Sequence, residues 1–139
     1  MKFYLFSMIL LMLNNLAFSE SLPSRFPELE LVNCTDAYHS TSDILQCEEM
    51  NFQHADTVIT EFFPKLYQFF PKNYQATLDQ TQIYWKELIY SECQLITGVA
   101  EPDTREAKLL SCLTERYQQR LSDLIYAFVL WENKQNYAQ

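Results

Sequence analysis

Apolar positions recur at three- and four-residue steps over three long stretches, and that spacing predicts three helices. Ahead of the first, Ser40-Thr41-Ser42-Asp43 offers a capping-box start, with Ser40 as cap and Asp43 three residues on. A helix from about Ser42 to Phe70 would carry Ile44, Cys47, Asn51, Ala55, Val58, Phe62, Leu66 and Phe69 inward, with Asn51 as a polar break. Pro64 predicts a kink or a split, because proline lacks the N–H and crowds the preceding turn; Pro71 closes the stretch. A second helix, Asn73 to Thr97, would turn Tyr74, Leu78, Thr81, Trp85, Leu88 and Ile89 to the core and stop at a left-handed Gly98. The third, from about Thr104 to Asn133, has the cleanest stripe: Ala107, Leu110, Leu113, Tyr117, Leu121, Leu124, Phe128 and Trp131.

The flanks read differently. Lys2, an apolar run from Tyr4 to Leu13 and the small residues of Ala17-Phe18-Ser19 predict a signal peptide over residues 1–19, cleaved before Glu20. The run is shorter than the roughly 20 residues a membrane span needs. Residues 20–40, with Pro23 and Pro27, form an extended lead-in; 41–133 form one helical domain; 134–139 are a polar tail expected to fray. Gly98 is the chain's single glycine, and no glycine-based hairpin dipeptide occurs. The fold class that follows is all-α.

An export leader delivers Cys34, Cys47, Cys93 and Cys112 to an oxidising compartment, periplasmic or extracellular, where they pair. Up-down-up connectivity brings the start of the first helix, the end of the second and the start of the third to one end of the bundle. All four cysteines fall at that end. The simplest pairing is Cys34–Cys47 and Cys93–Cys112; their crowding leaves the two crossed pairings open. The expected architecture is a disulfide-stapled antiparallel bundle of three main helices.

Charge narrows the partners. The chain has 18 acids, 10 bases and a net charge of −8. Nine of the acids and only one base, Arg25, lie in residues 20–61. Nucleic acid and anionic lipid both call for a basic face, so neither suits this chain, whereas a cationic protein does.

Catalytic and metal chemistry find little footing. The cysteines are separated by 12, 45 and 18 residues, without the close pair of a zinc site, so His39 and His54 do not complete a metal set. Paired cysteines leave no thiol nucleophile. Glu48 and Glu49 are adjacent, which on a helix points them about 100° apart and away from a common substrate. No glycine-rich phosphate loop occurs. The chain reads as a non-enzyme with no cofactor and no metal.

A set of spacings carries a family resemblance. Cys34 is followed by Ser40, Asp43 and Cys47; Ala55-Asp56 by Ile59-Thr60 and Phe63; Gln82 and Trp85 by Cys93 eight residues later; and Cys112 by Arg120. In these features the chain resembles the N-terminal domain of the LprI-type lysozyme inhibitor family, small exported bacterial helical domains, from Cys34 to about Leu124. Leu88-Ile89-Tyr90 stands where that family has an aromatic-Arg-Asp run, so two charges are missing, and Thr60 and Tyr117 replace an Asn and a Thr.

The resemblance implies a structural frame of Ser40, Asp43, Asp56, Gln82, Trp85 and Arg120, and an exported binding protein that inhibits a cationic lysozyme. Glu101 and Asp103, in the loop beside the second cysteine pair, are the residues expected to enter the target's cleft. The alternatives are an envelope structural or assembly protein that binds another protein without lysozyme activity, and a secreted effector.

Overall fold

The computed structural model describes residues 25–35 and 40–137. The expected signal peptide, the first residues of the lead-in, His39 and the last two residues of the tail lie outside the described residues. Among the described residues three helices, α1 (Thr41–Tyr67), α2 (Lys72–Thr97) and α3 (Arg105–Tyr137), run up, down and up. Among the described residues there is no strand. The all-α, disulfide-containing bundle is therefore as expected, and no helix among these residues is long and apolar enough to cross a membrane.

Local chemistry sets the helix ends. Ser40 has extended backbone angles, and its Oγ accepts the Asp43 N–H at 3.1 Å, which satisfies one of the donors a helix start leaves open. Pro64 does not split α1, which runs through it as one helix. Pro64 and Thr60, whose carbonyl loses its usual donor, both face solvent, where water can take that bond. The helix ends at Tyr67 rather than Phe70. Gln75 Nε2 donates to the carbonyls of Tyr67 and Phe70 at 3.1 and 2.9 Å, sealing the corner to α2.

Gly98 departs from the expected left-handed stop. Its φ of −59° and ψ of −24° are right-handed, and no described residue has positive φ. The turn closes through the Ala100 N–H on the Thr97 carbonyl at 2.9 Å. What suits glycine here is space: an added Cβ would stand 3.1 Å from the Gln94 carbonyl oxygen. α3 in turn continues to Tyr137, four residues beyond the expected Asn133.

The core lies where all three helices meet. Ala55 and Ile59 of α1, Ile89 and Cys93 of α2, and Leu113, Tyr117 and Leu121 of α3 form one buried cluster, with Trp85 packed against it. Away from the disulfides, Leu66, Leu124 and Phe128 form a second cluster with Phe26 and Phe62. The expected α3 stripe is buried except for the half-buried Leu110 and Trp131. On α1 the expected stripe omits Ile59, and Phe69 is exposed.

The largest departure is on α2, whose inward face is Leu78, Gln82, Trp85, Ile89, Cys93 and Thr97, while Tyr74, Thr81 and Leu88 face out. Two polar residues on that face hid it from an apolar count. Both have bonds: Thr97 Oγ1 donates to the Cys93 carbonyl at 2.7 Å, and Gln82 accepts from α3.

The lead-in lies along the bundle and contributes Phe26 and Leu29 to its packing. Asn51, the polar break in the α1 stripe, clamps it. Asn51 Oδ1 accepts the Val32 N–H at 3.0 Å, and Nδ2 donates to the Val32 carbonyl at 2.8 Å and to Cys34 Sγ at 3.2 Å. Farther out, Arg25 Nη1 and Nη2 donate to the two Glu132 carboxylate oxygens at 2.7 Å each. The guanidinium also stacks 4.8 Å from the centre of the Phe128 ring. This bond holds the Glu132 carboxylate below its ordinary range.

Candidate functional site

Both staples take the simplest pairing. Cys34–Cys47 ties the lead-in to the second turn of α1, and Cys93–Cys112 ties the last turns of α2 to the second turn of α3. Among the described residues there is no free cysteine. Two such bonds fit an oxidising environment.

The second staple closes the α2–α3 connection. Thr97 O accepts from Ala100 N–H at 2.9 Å, Glu101 O from Thr104 N–H at 3.1 Å, and Ala100 O from the Arg105 guanidinium at 3.0 Å. Three bonds inside so short a segment, beside a cross-link, hold it in one shape. Its side chains nevertheless point outward: Val99 is 92% exposed, and Glu101 and Asp103 are exposed. An apolar tip followed by two acids is thus displayed on a rigid base.

Asp103 also borders a depression of about 240 Å³ lined by Thr35, Thr41, Glu48, Lys108 and Ser111. Glu48 is half-buried there. Its pKa is raised, chiefly by burial, with Glu115 adding to the effect and hydrogen bonds from Ser111 and Asn51 opposing it. The stapled end therefore combines a fixed loop, two exposed carboxylates and a third carboxylate partly shielded from water.

The residues of the expected structural frame divide into two groups. Ser40 and Asp43 sit at the start of α1 and serve that helix end. Asp56, Gln82, Trp85 and Arg120 come together at mid-bundle from three helices. Arg120 Nε donates to Gln82 Oε1 at 3.0 Å, and its guanidinium lies 5.5 Å from the centre of the Trp85 ring. Trp85 meets Tyr117 edge-on, with ring centres 4.9 Å apart. Asp56 lies 3.6 Å from Lys86 Nζ and faces the Tyr117 phenol.

Burial governs the charges of this cluster. It raises the Tyr117 pKa well above the ordinary phenol value, and the Asp56 carboxylate raises it further. It lowers the Arg120 pKa, an effect the Asp123 carboxylate opposes. Arg120 Nη2 is buried without a hydrogen-bond partner among the described residues. The cluster fastens α2 to α3 through a stacked cation and a shared amide, while Asp56 links α1 to Lys86 of α2 and Tyr117 of α3.

Glu101 and Asp103 lie apart from that cluster, at the stapled end, as placed by their position in the chain. His54 is exposed on α1. Among the described residues no group of His, Cys, Asp and Glu side chains is arranged to hold a metal ion.

Two features escaped sequence reasoning. The Arg25–Glu132 pair spans 107 positions, so spacing gives no hint of it; the signal was that Arg25 is the lone base among nine acids. Along α2 and its end, Tyr84, Leu88, Leu95, Ile96 and Val99 are all more than half exposed. Of these the sequence pattern predicts only Leu88 in the core; the packing turns it and the others outward.

No protein-family model matches the chain, and neither a curated protein sequence nor a solved structure is significantly similar to it.

Proposed function

We propose that this chain is an exported, disulfide-stapled binding module whose target is a cationic protein of the lysozyme kind. The observation that carries this reading is the α2–α3 connection, a short segment fixed by a cross-link and three hydrogen bonds that displays Val99, Glu101 and Asp103 to solvent. A preformed loop loses little freedom on docking, which favours affinity. Acidic residues on it speed encounter with a cationic surface. The net charge of −8 and the spacings shared with the LprI-type inhibitors support the same partner class. The leader motif in the sequence and the two staples support export to the periplasm or the cell exterior.

Titration calorimetry of the oxidised protein with a cationic lysozyme, beside a muramidase clearance assay, tests the reading. Binding is expected to be saturable, to weaken as salt is raised, and to fall on the order of tenfold in the double variant Glu101→Ser, Asp103→Ser. Unchanged binding in that variant removes the loop from the account. Absent binding in the parent protein removes lysozyme as target.

A second reading, an envelope assembly factor, draws on the outward apolar residues Tyr84, Leu88, Leu95 and Ile96 of α2, since exposed apolar surface often marks protein contact. It predicts no effect on clearance at any salt concentration.

A further inference from the structure

At the end of the bundle away from the disulfides, a cleft of about 570 Å³ opens between the lead-in, the last turns of α1 and the outer part of α3. That volume lies within the range of about 300–1,000 Å³ usual for small-ligand pockets. Leu66 and Phe128 are buried beneath it, and Phe26, Pro27, Val58 and Phe69 are among its other apolar lining residues. The rings meet edge to face: Phe26 and Phe128 at 5.8 Å between centres, Phe69 and Phe128 at 5.1 Å. Phe69 is 62% exposed although it stands in this aromatic group.

The polar lining is sparse: Arg25, Glu61, Lys65 and Gln68. Arg25 is already engaged by both oxygens of Glu132. Lys65 differs. At about 100° per residue it falls within roughly 40° of the centre of the Val58–Phe62 face of α1, whereas Glu61 is turned about 80° away. Among the described residues Lys65 makes no ion pair. A lysine on an apolar stripe lays its methylenes along the wall and carries its ammonium to the water at the mouth. The cleft thus has an aromatic interior and, among its described lining residues, one unpaired cation, Lys65, with the unpaired Glu61 turned farther from the apolar face. Acids more than about 8 Å away are largely screened at physiological salt; Glu61, one turn before Lys65, lies closer and lowers the cleft's preference for an anion without pairing with the lysine.

We propose that this cleft binds a single-chain carboxylate amphiphile, its hydrocarbon tail among the phenyl rings and its carboxylate at Lys65. Such a ligand fits both features at once: the tail removes apolar wall from water, and the head supplies the anion that Lys65 lacks. The site stands apart from the α2–α3 connection and does not depend on the lysozyme reading.

Titration calorimetry of the oxidised protein with decanoate and, separately, with decyltrimethylammonium tests it. Decanoate is expected to bind at one saturable site and to be preferred over the cationic amphiphile. The exposed substitution Lys65→Gln should weaken decanoate about fivefold without shifting thermal unfolding. Val58→Trp, which fills the cleft, should abolish binding. Because that variant can disturb folding, a spin-labelled fatty acid added to the parent protein gives a second readout: it should broaden the ring signals of Phe69 and Phe128 and spare the Trp85 indole. Absence of saturable decanoate binding, equal affinity for the two head groups, unchanged affinity in Lys65→Gln, or broadening at Trp85 in place of the phenyl rings overturns the proposal.

Discussion

Replacing Cys93 and Cys112 together with alanine is expected to lower the unfolding free energy by about 3 kcal/mol, the chain-entropy value for a loop of this size. Urea unfolding of the variant beside the parent protein measures it. The bond spans 19 positions and the other staple 13, so chain entropy alone separates them by only about 0.3 kcal/mol. Their structural consequences differ more. Cys93 is fully buried in the main core cluster and its bond joins two helices. Cys34–Cys47 secures a lead-in that Asn51 and the Arg25–Glu132 pair also hold. Loss of the second staple should therefore loosen the bundle, whereas loss of the first should leave the lead-in held by Asn51 and the Arg25–Glu132 pair. A Cys93/Cys112 variant within about 0.5 kcal/mol of the parent would show that packing alone fixes the α2–α3 end.

Ile59→Ala should cost about 3 kcal/mol, within the range for truncating a buried aliphatic side chain. Ile59 is 1% exposed and belongs to the cluster built from all three helices, so the surroundings have little room to collapse into the space it leaves. Leu95→Ala is the matched control. Leu95 is 80% exposed, and its truncation should stay within about 0.5 kcal/mol. Thermal or urea unfolding of the pair provides the comparison. A large loss in Leu95→Ala would place α2 with its other face inward, and a negligible loss in Ile59→Ala would remove α1 from the core; either contradicts the bundle.

The sequence made the helices legible because apolar spacing and end chemistry agreed. α3 was the clearest: its stripe had one period and few polar interruptions, and it became the rod against which the other two pack. Ser40 was readable as a cap for the same reason, since its side chain acts on its own neighbours. α2 misled because apolar residues occur on both its faces. Its true inner face contains Gln82 and Thr97, whose partners depend on tertiary structure and on the helix backbone. Asn51 shows the same limit: it reads as a defect in a stripe until the lead-in is in place to bond with it.

The candidate sites divide along similar lines. The loop with Glu101 and Asp103 could be found because it lies between two cysteines at helix ends. The shared face of Gln82 and Trp85 was readable from their spacing, but Arg120 joining them from α3, with its guanidinium stacked on the indole, was not. The aromatic cleft drew nothing from local pattern, since its walls come from residues about a hundred positions apart, Phe26 and Phe128. Lys65 lies one turn after Phe62 and two after Val58 on α1, a spacing readable in the sequence, but it acquires meaning only once the lead-in closes the other side.

The most direct test of a stapled, exported scaffold is mass spectrometry of an unreduced peptide map of the protein recovered after export. The expected result is two linked pairs, Cys34 with Cys47 and Cys93 with Cys112, in a chain that begins at Glu20 and carries no free thiol. Free thiols at these four positions, or crossed pairs between them, would contradict it.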